Sequence, residues 1–210
     1  MNYNPRDREL YLEGEDLIKI ANSFLDQKIM NPELKNTLCD HIQEKVNDLS
    51  YEITAELAVI YASKMDKTYR DIFFNNMRKK FLKELKFLKE ETLYKIMWSM
   101  IKSEQLKVSD DEPEWIMVKD NLKERSKELS PKCISDILLL STLEAKDQTQ
   151  KSTDLFTLME TELILKMKSM SLDDLLNLLW SSLEMNRGSP MFFDTLEAEL
   201  AKRVRGIKDD

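Results

Sequence analysis

The segment from Leu175 to Leu183 (Leu-Leu-Asn-Leu-Leu-Trp-Ser-Ser-Leu) repeats the pattern of the segment from Leu93 to Met100 (Leu-Tyr-Lys-Ile-Met-Trp-Ser-Met), with Trp180-Ser181 falling on Trp98-Ser99. Leu138 to Glu144 fits onto Leu178 to Glu184, and Ile20-Ala21 with Phe24 matches Leu57-Ala58 with Tyr61. With Ala21, Ala58, Met97, Leu139 and Leu179 as anchors, the intervals are 37, 39, 42 and 40 residues. Each anchor is followed by a second amphipathic stretch, entered three times through proline (Pro32, Pro113, Pro190). Leu38, Ile42 and Val46 stand at the same offsets from the first anchor as Leu196, Leu200 and Val204 do from the last. A period of this length belongs to tandem helical hairpins, and one such hairpin is too small to bury its apolar face alone. The expectation is therefore an all-α fold, an α-solenoid of about five helix-turn-helix repeats of roughly 40 residues. It places an N-terminal arm or cap at 1–14 and a single helical-repeat domain at 15–207.

Local signals agree with helices throughout. In 74–88, Phe74, Met77, Phe81, Leu85 and Leu88 advance by three or four residues and form one stripe. Ser130-Pro131 and Ser189-Pro190 place a capping hydroxyl before a first-turn proline, and Asn31-Pro32 does so with an amide. Ser171 stands ahead of Asp173 and Asp174, carboxylates that suit a helix N-terminus. Arg187-Gly188-Ser189-Pro190 reads as a stop, a turn and a new start. With only three glycines and five prolines in 210 residues, a strand-and-turn fold has no punctuation to work with. The polar stretch 145–153 and the acidic Ser109-Asp-Asp-Glu112 read as exposed loops.

The same composition narrows the chemistry. One histidine, His41, limits any His-dependent nucleophile pair to that position, and it reads as a surface or half-buried residue. Cys39 and Cys133 lack metal or redox spacing and read as reduced, buried thiols. No glycine-rich loop can cradle a phosphate. Asp173-Asp174 and Glu90-Glu91 are adjacent in helices, so their carboxylates point about 100° apart and make poor dyads. The sequence offers no catalytic residue, no cofactor or metal site and no evident small-molecule substrate. No apolar run approaches the ~20 residues of a membrane span. The first ten residues show neither a secretory apolar segment nor a transit-peptide composition, so a cytoplasmic setting stands beside one in which a targeting peptide has been removed.

Formal charge is -7, from 32 basic and 39 acidic residues. Residues 64–107 run against that total, with 12 Lys/Arg and six Asp/Glu. Within them Arg78, Lys79, Lys80, Lys83, Lys86 and Lys89 recur at helical spacing, a pattern able to neutralise successive phosphates of a single strand. These six are the candidate RNA- or partner-binding residues. Trp98 and Trp180 suit base stacking in chemistry, but their place beside the anchors points to packing between repeats. Trp115 reads as a staple to the preceding helix. Arg203 and Arg205 read as complements to their own helix dipole.

Asp111-Glu-Pro-Glu-Trp115, the Leu178-Leu-Trp-Ser-Ser-Leu183 helix and Ser189-Pro-Met-Phe-Phe-Asp-Thr-Leu-Glu-Ala-Glu-Leu200 together resemble octotricopeptide repeats and their heptatricopeptide and FAST-kinase-like relatives. The likeness spans most of residues 15–205. It implies a mitochondrial or plastid protein whose repeats contact single-stranded RNA and influence its processing, stability or translation. Some repeats of this kind serve instead as structural or protein-interaction subunits of large organelle assemblies, and a short acidic array suits that use.

Overall fold

The computed structural model describes residues 14–26, 32–109, 111–144 and 153–206. They form ten α-helices, and no strand occurs among the described residues. In chain order these are α1 (Gly14–Asp26), α2 (Pro32–Lys45), α3 (Tyr51–Lys64), α4 (Lys67–Glu84), α5 (Glu90–Lys102), α6 (Pro113–Arg125), α7 (Pro131–Glu144), α8 (Thr153–Lys166), α9 (Leu172–Met185) and α10 (Pro190–Gly206). Short 3-10 turns, Leu85–Phe87 and Met167–Ser169, end α4 and α8. The expected arm and most of the loop at 145–153 lie outside the described residues.

The start signals act as their chemistry requires. Pro32, Pro113, Pro131 and Pro190 are each the first residue of a helix, where the missing N–H is no loss. Ser171 Oγ accepts from Asp174 N at 3.1 Å while the Asp174 carboxylate accepts from Ser171 N, a reciprocal capping box. Ser130 and Ser189 cap α7 and α10 through Cys133 N and Phe192 N, each 3.2 Å away. At the end of α9 Asn186 is left-handed (φ 52°), and Arg187 N returns to Ser182 O at 2.9 Å. Gly188 follows at φ 129°, where a Cβ would lie 2.7 Å from the Phe193 ring. Four residues thus reverse the chain from α9 into α10.

Each helix packs on the helix two places along. α1 lies on α3, α3 on α5, α5 on α7 and α7 on α9; α2 lies on α4, α4 on α6, α6 on α8 and α8 on α10. The residues just ahead of α3, α5, α7 and α9 are Ser50, Lys89, Ser130 and Ser171, 39, 41 and 41 positions apart. In this register Ala58, Met97 and Leu138 are buried counterparts, and Leu179 is half-buried. The expected fourth anchor, Leu139, is off by one residue: it lies half-exposed on the outer side, because two adjacent leucines hide which one faces the core.

The odd helices bury many small side chains, among them Ala55, Ala58, Ala62, Ser99, Ser135, Ser141, Ser181 and Ser182. The even helices bury large ones: Phe73, Phe74, Phe81, Trp115, Phe156 and Phe192. Each ring contributes about 1.5–3 kcal/mol by leaving water.

A second element joins the even helices. The last carbonyls of an α-helix have no partner within it, and here a cation from the next even helix supplies one. Lys80 Nζ donates to Val46 O at 3.1 Å, to Asn47 O at 3.4 Å and to Leu49 O beyond the end of α2. Arg125 donates to Leu85 O at 2.9 Å and Leu88 O at 2.7 Å. Lys166 donates to Ser126 O at 2.7 Å, Lys127 O at 3.1 Å and Leu129 O at 2.5 Å. Arg203 donates to Lys168 O at 2.9 Å and Met170 O at 3.1 Å. Leu49, Leu88, Leu129 and Met170 immediately precede the four residues that set the register. Arg203 therefore serves the end of α8, not its own helix as the sequence suggested.

Candidate binding faces

The basic stripe divides in the folded chain. Arg78 is half-buried and pairs with Glu114 at the start of α6, its Nε 2.7 Å from Oε1. Lys80 is the clasp on α2, with its ammonium 4.9 Å from the centre of the Tyr51 ring, and burial pulls its pKa below the ordinary lysine value. Lys89 reaches Glu52 at 2.8 Å, and that hydrogen bond raises the lysine and lowers the carboxylate. Lys79, Lys83 and Lys86 remain exposed on the outer side of α4 and of the turn that follows it. Among the described residues Lys79 and Lys83 make no ion pair, and Lys86 stands 4.9 Å over the ring of exposed Phe87.

The outer side of the odd helices carries a different pattern. Val59, Trp98, Leu139 and Trp180 occupy corresponding positions on α3, α5, α7 and α9; the first three are partly buried and Trp180 is exposed. Trp98 packs partly on the core, whereas Trp180 is 40% exposed, so neither is the fully buried wedge that its place beside an anchor suggested. The fully buried tryptophan is Trp115, in the first turn of α6. One turn N-terminal to this ladder lie Glu56, Lys95, Asp136 and Asn177, and beyond them Glu52, Glu91, Lys132 and Asp173. Lys95 bridges Glu56 and Glu91 at 2.6 Å each, and these bonds raise its pKa. Lys132 holds Asp136 at 2.9 Å. The ladder could have been found in the sequence, since its members follow the 39, 41 and 41 intervals; anchoring on Leu139 concealed it.

The reactive side chains are engaged elsewhere. Burial pushes the Cys133 thiol up to about 12 and raises Cys39, so both stay protonated at neutral pH. Glu90 accepts from Ser130 N at 2.8 Å, Glu91 pairs with Lys95, and Asp174 belongs to the cap of α9. His41 is half-buried on α2. Among the described residues no group of three or more His, Cys, Asp or Glu gathers as metal ligands, and no helix is long and apolar enough to cross a membrane.

No known protein family matches the chain, and no curated protein is similar to it.

Proposed function

We propose that this protein is an α-solenoid binding module without enzymatic activity, and that it acts as a structural or protein-interaction subunit. The side-by-side contacts of successive hairpins, the constant register and the repeated cation clasps support the solenoid reading. Small residues allow closer helix approach than rings do, so the odd row is the shorter one and the array curves toward it. The ladder Val59–Trp98–Leu139–Trp180, on the side of the odd helices away from the even ones, then lines the concave face, and the exposure of Trp180 within it is the observation that carries the function. Aromatic groups set among polar residues are what protein interfaces bury. Beside the ladder Glu52, Glu56, Glu91, Asp136 and Asp173 outnumber Lys89, Lys95 and Lys132, which pair with the first four, and the acidic excess favours a basic amphipathic helix or extended segment as partner.

The test is purification of the full chain from its own cells, as wild type and as Trp98→Ala/Trp180→Ala. A stoichiometric partner retained by the wild type and lost from the variant, at unchanged helix content, supports this reading. Equal retention of the partner by both overturns it.

The exposure of Lys79, Lys83 and Lys86 favours a second reading, single-stranded RNA binding, to which the octotricopeptide likeness and a mitochondrial or plastid setting belong. Reversing all three to Glu would then abolish binding of a mixed-sequence RNA oligomer and flatten its salt dependence, by about 0.7 in the log–log slope per lost phosphate contact. Binding that ignores salt or survives the triple reversal discards it.

A further inference from the structure

α9 presents an apolar edge that every earlier odd helix covers. Corresponding positions are Ala55, Ala58 and Ala62 on α3, Tyr94, Met97 and Ile101 on α5, and Ser135, Leu138 and Thr142 on α7, of which Ser135 reaches α9, its Oγ donating to Asp174 O at 3.1 Å. All are buried except Tyr94, which is half-buried. Their counterparts on α9 are Leu176, Leu179 and Leu183; Leu176 is 47% and Leu183 is 62% exposed, and Leu179 is half-exposed. The opposite edge of the described array differs in kind. On α1 the face that carries Asp16 and Ser23 at helical spacing, with Ile20 between them, is more polar than the three leucines of α9, so a head-to-tail contact matches them less well than a second copy of the same edge.

We propose that the α9 edge is a homodimer interface, in which two copies of this chain meet α9 to α9 across a two-fold axis. An antiparallel pairing centred between Leu179 and Trp180 places Leu176 of one copy against Leu183 of the other and Leu179 beside the second copy's Trp180. The same pairing brings exposed Asp173, at the N-terminal end of α9, to exposed Arg187, just past the C-terminal end of the second copy's helix. The edge is thus complementary to itself in both apolar content and charge, the requirement for an isologous contact. The α9 edge shares Trp180 and Asp173 with the ladder face, and Leu176→Glu/Leu183→Glu, which alters neither, keeps failure of this proposal distinct from failure of the ladder reading.

Sedimentation of the full chain over a range of concentrations tests it. The wild type is expected to dimerise reversibly, and Leu176→Glu/Leu183→Glu to be monomeric with unchanged helix content, its dissociation constant raised by about 100-fold or more. Because that variant alters apolar residues, an exposed pair supplies a second measurement. Asp173→Arg alone weakens the dimer, and Asp173→Arg/Arg187→Asp restores it. A short bis-maleimide joins Leu179→Cys to the same position of the second copy. A monomer at every concentration, a dimer indifferent to the glutamates, failure of the charge swap to restore pairing, or no dimer cross-link at Leu179→Cys overturns the proposal.

Discussion

The odd and even helices solve the same problem with opposite materials. Odd helices bury alanines and serines (Ala55, Ala58, Ala62, Ser99, Ser135, Ser181, Ser182) among larger residues such as Tyr61, Met97 and Leu138, so where the small residues lie contact depends on close approach. Even helices meet through phenylalanines and Trp115, so contact depends on volume and their ends are fastened by lysine or arginine. The partly exposed apolar ladder lies on the odd row and the exposed basic patch of Lys79, Lys83 and Lys86 on the even row, so the two candidate faces are separate.

The comparison breaks most readily at Trp115. Trp115→Ala is expected to cost about 3–5 kcal/mol, because a fully buried ring leaves a cavity; a loss below about 1 kcal/mol in urea unfolding would show that the even row does not depend on volume. In the odd row the damaging change runs the other way. Ala58→Leu is expected to cost about 1–3 kcal/mol by overpacking, and a neutral or stabilising result would mean the helices are not in close contact there.

A finer contrast lies within α4. Lys80→Met leaves the carbonyls beyond α2 unpartnered and is expected to cost about 1–3 kcal/mol. Lys79→Ala, one residue away on the exposed side, should stay within about 0.5 kcal/mol. Equal effects in thermal unfolding would erase the distinction between clasp and surface lysine.

The smallest effect is at the loop between α3 and α4. A hydrogen bond from Lys35 on α2 holds the Asp66 carboxyl below its ordinary value of 3.8. Its contribution is complete above that ordinary value and disappears as pH falls through the lower, folded-state one. Asp66→Asn should therefore flatten the acid limb of the stability profile and leave the neutral region unaffected; an unchanged acid limb would show that the pair contributes nothing.

The hairpins were legible because their signals are local. A proline at a first turn, a serine three residues ahead of its backbone partner, and Phe74, Met77, Phe81, Leu85 and Leu88 on one stripe act within one or two turns. The basic stripe was legible only as a spacing. Arg78, Lys79 and Lys80 are consecutive, yet one pairs with Glu114, one faces water and one closes α2, because each step around the helix turns about 100° toward a different neighbour. No periodicity within α4 announces what α2 and α6 bring to it. The edge of α9 was hidden for a related reason: the repeat match from Leu175 to Leu183 does not say which of its leucines a neighbouring helix covers.

The clasps run in one direction only, each hairpin's carbonyls being held by a side chain that comes later in the chain. Removing hairpins from the amino end merely returns an ammonium or guanidinium group to solvent. Removing them from the carboxyl end strips acceptors of their donors and loosens the hairpin left behind. The even row therefore has a grain: loss of α10 leaves carbonyls beyond α8 without their donor, whereas loss of α2 leaves no carbonyl of α4 unpartnered.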